Sequence, residues 1–242
     1  MQTGFDIDSL LRFTPPGYLC ERCYALLVDV GRVVCPVCGV QYIATDRYPM
    51  PDEYLRAKGL DLHYKDLIEH SQALARIARK TRESVMSPYG QYTPYPPIRA
   101  LFEALQNAEK FVHFTTYGIS VLILGALKLT AQRVDVRGIV SGIKHDMVLR
   151  EITEYHDEAP RLKLQVFPND SPHFPHQKIV VIDGLLAFKG SANLTDFAWR
   201  KAAQGREVIE PVTDVNEVID LHNRYFSPVW AHTRNEERIV MI

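Results

Sequence analysis

From residue 97 onward, apolar positions alternate between a helical spacing and a strand spacing. Pro97 opens a stretch with Ile98, Leu101, Phe102, Leu105 and Ala108 on one stripe, which predicts a helix over 97–109. A strand is expected at 111–117, then a helix at 119–131, a strand at 134–140, a helix at 145–156 and a strand at 162–167. After the loop 168–175 come two β-branched, apolar runs, 177–182 and 185–189, joined by Asp183-Gly184, a dipeptide suited to a hairpin turn. A short helix near 195–203, a strand near 206–212 and one last helix over 214–230 complete the pattern. Strands separated by helices argue for an α/β layer with parallel neighbours.

Upstream the rhythm is purely helical from about 61 to 85, with Leu60, Tyr64, Leu67, Leu74, Ala78 and Val85 at three- and four-residue steps. Ser71 and Thr81 share that register, so packing on the chain's own core is expected rather than a dimer seam. Arg76, Arg79, Lys80 and Arg82 make the second half of this helix basic. Residues 86–97 hold four prolines and a glycine and read as a linker. Three regions follow: 1–50, a helical connector with its Pro/Tyr-rich linker at 51–96, and 97–242.

Composition is that of a globular protein, with 46% apolar residues and a formal charge of −1 that excludes a global pull toward nucleic acid or membrane. The longest strongly apolar stretch, 119–127, falls well short of the ~20 residues of a spanning helix. No signal peptide is apparent, and a cytoplasmic protein is expected. Cysteines change the picture, because all four lie in two C-x-x-C pairs, Cys20/Cys23 and Cys35/Cys38. Two such pairs predict a tetrahedral thiolate site for a structural Zn²⁺ with no open position for chemistry. The residues between them, 25–34, read as a hairpin turning near 29–32, in the manner of a zinc ribbon. A redox dithiol or two disulfides are the competing readings.

The chemistry concentrates in 176–193. Alternate strand residues share a face, so His176 and Lys178 project together, an imidazole beside a fixed cation. Gly190-Ser191-Ala192-Asn193 then offers backbone N–H groups, a hydroxyl and an amide to an anion. A nucleophile or base, a cation and anion-facing donors are what phosphoryl transfer needs. The helix 61–85 contains a second H-x-K, His63-Tyr64-Lys65, but His70 stands at its Asp position and no Gly-Ser-x-Asn follows.

The spacing H-x-K-x(4)-D-x(6)-G-S-x-N, filled by His176, Lys178, Asp183, Gly190, Ser191 and Asn193, resembles the signature of the phospholipase D superfamily. The stretch 97–232 is similar to one complete catalytic domain of that superfamily, and in particular resembles its small single-motif bacterial endonucleases. The resemblance implies a mixed β-sheet flanked by helices, with the zinc ribbon and helical connector added in front. It implies that His176 acts as nucleophile or general acid, that Lys178 and Asn193 hold the non-bridging phosphate oxygens, and that Ser191 adds a hydrogen bond. Asp183, at the hairpin corner, is expected to pin backbone, and Glu207 matches the acid that orients the histidine in single-motif relatives. Gly190, Tyr117 and His173 are candidates for substrate contact, as is His113 on the first strand. The other histidines show no mutual spacing that marks a site.

Superfamily sites combine two motif copies, and this chain has one, so a homodimer with the active site on its two-fold axis is implied. No open cluster of metal ligands lies near the motif, and metal-independent cleavage is expected. The expectation is therefore a phosphodiesterase acting on DNA or RNA, with a place in bacterial defence and protein partners suggested by the resemblance alone. A phospholipase D or phosphatidyltransferase acting on lipids shares the chemistry but lacks here a second motif and a membrane anchor. A non-catalytic nucleic-acid-binding module is the third reading.

Overall fold

A computed structural model describes residues 20, 23–25, 32–35, 37–39, 41–43, 61–85, 95–141, 146–153, 159–168, 174, 176–232 and 240–241. Leu60, residues 26–31 of the expected ribbon hairpin, residues 86–94 of the linker, and His173 lie outside the described residues.

The elements in chain order are β1 (Arg32–Val34), β2 (Gln41–Ile43), α1 (Asp61–Val85), α2 (Pro97–Asn107), β3 (Phe111–Thr116), α3 (Val121–Ala131), β4 (Asp135–Ser141) and α4 (Asp146–Thr153). They continue with β5 (Leu162–Phe167), β6 (Lys178–Ile182), β7 (Leu186–Gly190), α5 (Asp196–Ala202), β8 (Ile209–Val212), α6 (Val215–Tyr225), α7 (Ser227–His232) and β9 (Val240–Met241). Seven strands form one mixed sheet in the order β8-β7-β6-β3-β4-β5-β9. Among the described strands only β3–β4 and β4–β5 are parallel, each joined by a helix that crosses over. Every other pair is antiparallel, so the parallel layer expected from the alternation covers three strands and not the whole sheet.

All six residues of β3 are buried, as a strand at the centre of a sheet covered on both faces must be. One face, carrying His113, Arg137 and Gln165, meets α6 and α7: His113 stacks on Phe226, and Gln165 Nε2 donates to the carbonyl of Trp230 at 3.1 Å. The crossover helices and α2 cover the other face. There Phe114 lies directly over Gly138, where a Cβ would come within 2.1 Å of the ring.

The motif hairpin closes as its turn dipeptide predicts. Asp183 (φ 54°) and Gly184 (φ 72°) both take the left-handed conformation, and the Leu185 N–H returns to the Ile182 carbonyl at 3.0 Å. The long C-terminal helix expected over 214–230 is instead two helices, broken at Phe226. Pro228 has no N–H to continue α6 but suits the first turn of α7.

Helix α1 packs along α2 and against β8, and buries Leu74, Ile77, Ala78 and Thr81. Its basic residues are mostly engaged: Lys80 pairs with Glu103 at 3.4 Å, Arg79 with Glu83 at 3.9 Å, and Arg82 donates to the Pro211 carbonyl at 2.9 Å. In the ribbon, β1 and β2 are antiparallel partners that flank the second cysteine pair. No helix among the described residues is long and apolar enough to cross a membrane.

Candidate active site and metal centre

Strand register brings the motif to one end of the sheet. Lys178 lies opposite Gly190, Gly190 opposite Ile209, and Ile179 opposite Thr115 near the C-terminal end of β3. His176 and Lys178 therefore enter at the start of β6, and Ser191 and Asn193 leave from the end of β7. Tyr117 follows β3, and Glu207 precedes β8.

Within this end, His176 is exposed, and Phe174 stands edge-on to its ring at 6.2 Å. Phe174, itself buried, also meets Tyr117 at 5.9 Å. The Lys178 ammonium donates to the His176 backbone carbonyl at 2.7 Å, which holds the cation at the start of β6. The Tyr117 N–H donates to Asn193 Oδ1 at 3.2 Å. That bond commits the carboxamide oxygen to the backbone, so the Asn193 side chain presents its N–H₂ group to a substrate.

Ser191 donates its hydroxyl hydrogen to Glu207 at 2.5 Å and accepts the Val208 N–H at 2.9 Å. Glu207 thus reaches the site through Ser191, its carboxylate accepting the serine hydroxyl. Gly190 is required by shape. Its φ is +153°, and a Cβ would stand 2.0 Å from the Val208 carbonyl oxygen that also accepts the Ser191 N–H.

The hairpin corner lies at the other end of the sheet. Asp183 Oδ1 accepts the N–H groups of Lys110 and Phe111, both at 2.8 Å, and Oδ2 accepts that of Glu109 and meets His70 Nε2, again both at 2.8 Å. Asp183 is buried, and its bonds all lie at this corner, away from His176 and Lys178. His113 does not line the cleft. It is fully buried in the sheet face, with Nδ1 2.7 Å from His222 Nε2 and Nε2 3.4 Å from Asp135. Burial pushes the His113 pKa down against the pull of Asp135, and burial with the neighbouring His113 pushes His222 well down. Burial draws the Asp135 carboxyl up, yet hydrogen bonds from His113 and Arg137 outweigh it and hold it below the usual carboxylate range. His70, His113 and His222 were not marked by any spacing, because each finds its partner from 109 or 113 residues away.

The four cysteines form a second site. Their sulfurs all lie within 4.8 Å of one another, with Cys20–Cys38 at 3.6 Å and Cys23–Cys35 at 3.5 Å. Tetrahedral thiolates around Zn²⁺ at ~2.3 Å would be about 3.8 Å apart, so this donor set fits such an ion. Burial pushes the Cys23 and Cys35 thiols up, and a cation is what would let them be thiolates there. Each pair is followed by a left-handed residue, Tyr24 (φ 60°) and Gly39 (φ 71°), whose N–H groups bond to the Cys20 and Cys35 carbonyls at 2.7 and 3.0 Å. The Tyr24 ring is held by the catalytic sheet: the Arg137 guanidinium lies 3.8 Å from its centroid, and His113 and Trp230 stand edge-on at 6.4 Å.

One end of the α/β sheet thus gathers an imidazole, an ammonium, a carboxamide and a hydroxyl. The family profile described as "Cardiolipin synthase, PLD-like domain" matches residues 101–230, more than half of the chain, and the protein belongs to that phospholipase D-like family. Members of this superfamily are phosphodiesterases. No curated protein matches the chain. Among solved structures, it is similar to NucT from Helicobacter pylori (22% identity, TM-score 0.43, 53% of this chain and 84% of that one). It is also similar to Nuc from Salmonella typhimurium, a phospholipase D family member (18% identity, TM-score 0.46, 62% and 93%). A third is TrmBL2, an archaeal chromatin protein with a novel mode of DNA binding (15% identity, TM-score 0.38, 70% and 67%).

Proposed function

We propose that the protein is a metal-independent nuclease, a hydrolase that cuts DNA or RNA through a phosphohistidine intermediate in an active site shared by two copies of the chain. The observation that carries this reading is the convergence of His176, Lys178, Ser191 and Asn193 on one sheet end in a chain with a single motif. A phosphodiester repels nucleophiles with its own charge, so the site must neutralise that charge and activate two oxygens in turn. One imidazole cannot do both.

In the shared site, one His176 attacks phosphorus, a P–N bond forms, and the P–O bond to the leaving nucleotide breaks. His176 of the partner subunit, protonated, gives its proton to the departing oxygen. A water then attacks the phosphohistidine while that second imidazole takes the water's proton, the P–N bond breaks, and both histidines return to their starting states. Lys178 and the Asn193 N–H₂ group from each copy face the non-bridging oxygens, and Ser191, held by Glu207, lines the same end. Tyr117 is positioned to contact substrate through its place beside Asn193. The four cysteines fill a tetrahedral shell, so the Zn²⁺ they are suited to would supply structure and no Lewis-acid chemistry.

Wild type and His176→Ala assayed with chelator on single-stranded DNA, duplex DNA, RNA, phosphatidylcholine and phosphatidylglycerol test the reading. Nucleic-acid cleavage that falls on the order of 10³-fold or more in the variant is the expected result. The lipids are included because the family description names a lipid enzyme, and turnover confined to them would overturn the nuclease reading. Wild type mixed with His176→Ala should form heterodimers with impaired turnover; full activity in them would refute the shared site.

A further inference from the structure

Helix α5 follows Asn193 directly and carries an exposed aromatic that no packing role explains. Ala198, Trp199 and Ala202 turn inward and are buried, whereas Phe197 faces solvent with 64% of its surface exposed. The Lys201 ammonium lies 4.2 Å from the Phe197 ring centroid, over its face. Arg200 and Arg206 are exposed on the same segment. From 196 to 206 there are three cations against one carboxylate, Asp196, in a chain whose formal charge is −1. Glu207, next along, is bound to Ser191.

The helix is rigidly tied to the catalytic end. Leu194 N–H donates to Thr116 Oγ1 at 2.9 Å, Asp196 N–H to Ser120 Oγ at 3.2 Å, and Ala198 N–H to its cap Thr195 at 3.2 Å. Tyr117, 37% exposed, bonds to Asn193 through its N–H. Asn193 therefore lies between two exposed aromatics along the chain path that these bonds fix, Tyr117 bonded to it and Phe197 four residues on, and the Phe197 ring carries the Lys201 ammonium over one face.

We infer that Phe197 is a base-stacking platform, with Lys201 and Arg200 as flanking phosphate contacts, and that it makes unpaired nucleic acid the favoured substrate. The inference rests on the nuclease reading above. An aromatic face on a convex helix has access only to a base that is out of its stack, since duplex bases turn their faces to one another. The adjoining cations suit the polyanion that carries such bases, and they are the reverse of what an apolar contact between two copies would place around its central side chain.

The test uses the full chain and three labelled substrates: a single-stranded oligonucleotide, its duplex, and a strand of equal length made of abasic sites. Phe197→Ala should raise KM for the single strand roughly 5- to 150-fold with little change in kcat, leave the abasic strand unaffected, and be rescued by Phe197→Trp. Arg200→Ala with Lys201→Ala should weaken intact and abasic strands alike and flatten the salt dependence. Equal loss on the abasic strand, an unchanged KM, or dissociation of the dimer by Phe197→Ala in size-exclusion chromatography would overturn the platform. Wild type that cleaves none of the oligonucleotides would overturn the nuclease reading itself, and the platform with it.

Discussion

His70 Nε2 lies 2.8 Å from Asp183 Oδ2, a buried contact that joins helix α1 to the hairpin corner of the catalytic motif across 113 residues. Glu109 sits 3.4 Å from the other ring nitrogen, so α1 is fastened at the point where the start of β3 and the β6–β7 turn meet. His70→Ala leaves the buried carboxylate short of one of its four partners and should cost about 1–3 kcal/mol. Asp183→Ala strands three backbone N–H groups and should cost more, about 3–5 kcal/mol. Urea unfolding reads both. His70→Ala protein that remains folded should keep its turnover, since neither residue touches the phosphate-facing end.

The stacked pair His113 and His222 ties stability to pH. Both pKa values are held down by burial in the folded chain, whereas unfolded imidazoles titrate near ~6.5. Below that value the unfolded state binds more protons than the folded one, so stability rises with pH through this window and is lost as pH falls from about 6.5 toward the lowered folded values. The groups facing the pair include Asp135, Arg137, Asn223 and Ser227. Urea midpoints from pH 5 to 8 should show this acid slope, and His222→Gln should flatten it.

Tyr24 makes the cysteine module part of the catalytic body. Tyr24→Ala removes the ring between Arg137 and Trp230 and should lower stability by about 1–3 kcal/mol while metal content, read by elemental analysis, stays at the wild-type level. Chelation of wild type should lower the melting temperature of the whole protein. Chelation of Tyr24→Ala should melt the ribbon with a smaller effect on the sheet.

Two glycines with positive φ should answer differently to alanine. At Gly190 a methyl group collides with the Val208 carbonyl, so Gly190→Ala should displace β8 and Ser191 and abolish activity. At Gly205 (φ +68°) nothing lies within 4 Å, and only the left-handed backbone opposes the change, at a cost of about 1–2 kcal/mol. Melting curves of the two variants and their turnover separate these cases.

What the sequence made legible was local. The motif hairpin, the helix 61–85 and the helix–strand alternation are set by spacings of two to four residues and by turn chemistry at Asp183-Gly184, all visible in a single chain. Strand order is not local: nothing in the apolar runs distinguishes β6 pairing antiparallel with β3 from a parallel neighbour, so only part of the sheet matched the parallel expectation. Break signals were legible but outweighed; Pro228 sat inside an apolar period long enough to suggest one helix. His70 and His222 read as ordinary because their partners are remote, His113 read as a cleft candidate because its strand leads to the motif end although its side chain is buried against His222, and Glu207 bonds to Ser191.

The strand order also sets a timetable for synthesis. β3, β4 and β5 leave the ribosome as a consecutive parallel set, but the edge of β3 that will receive Ile179–Ile182 stays unpaired until β6 has emerged. Through that interval the nascent domain carries a bare strand edge, the kind of surface that chaperones shield and that aggregates if they do not. The hairpin covers that edge and brings Lys178, Ser191 and Asn193 to the sheet together, but it hands the open edge on to β7 until β8 arrives with Glu207, so a partly made chain is both sticky and incomplete.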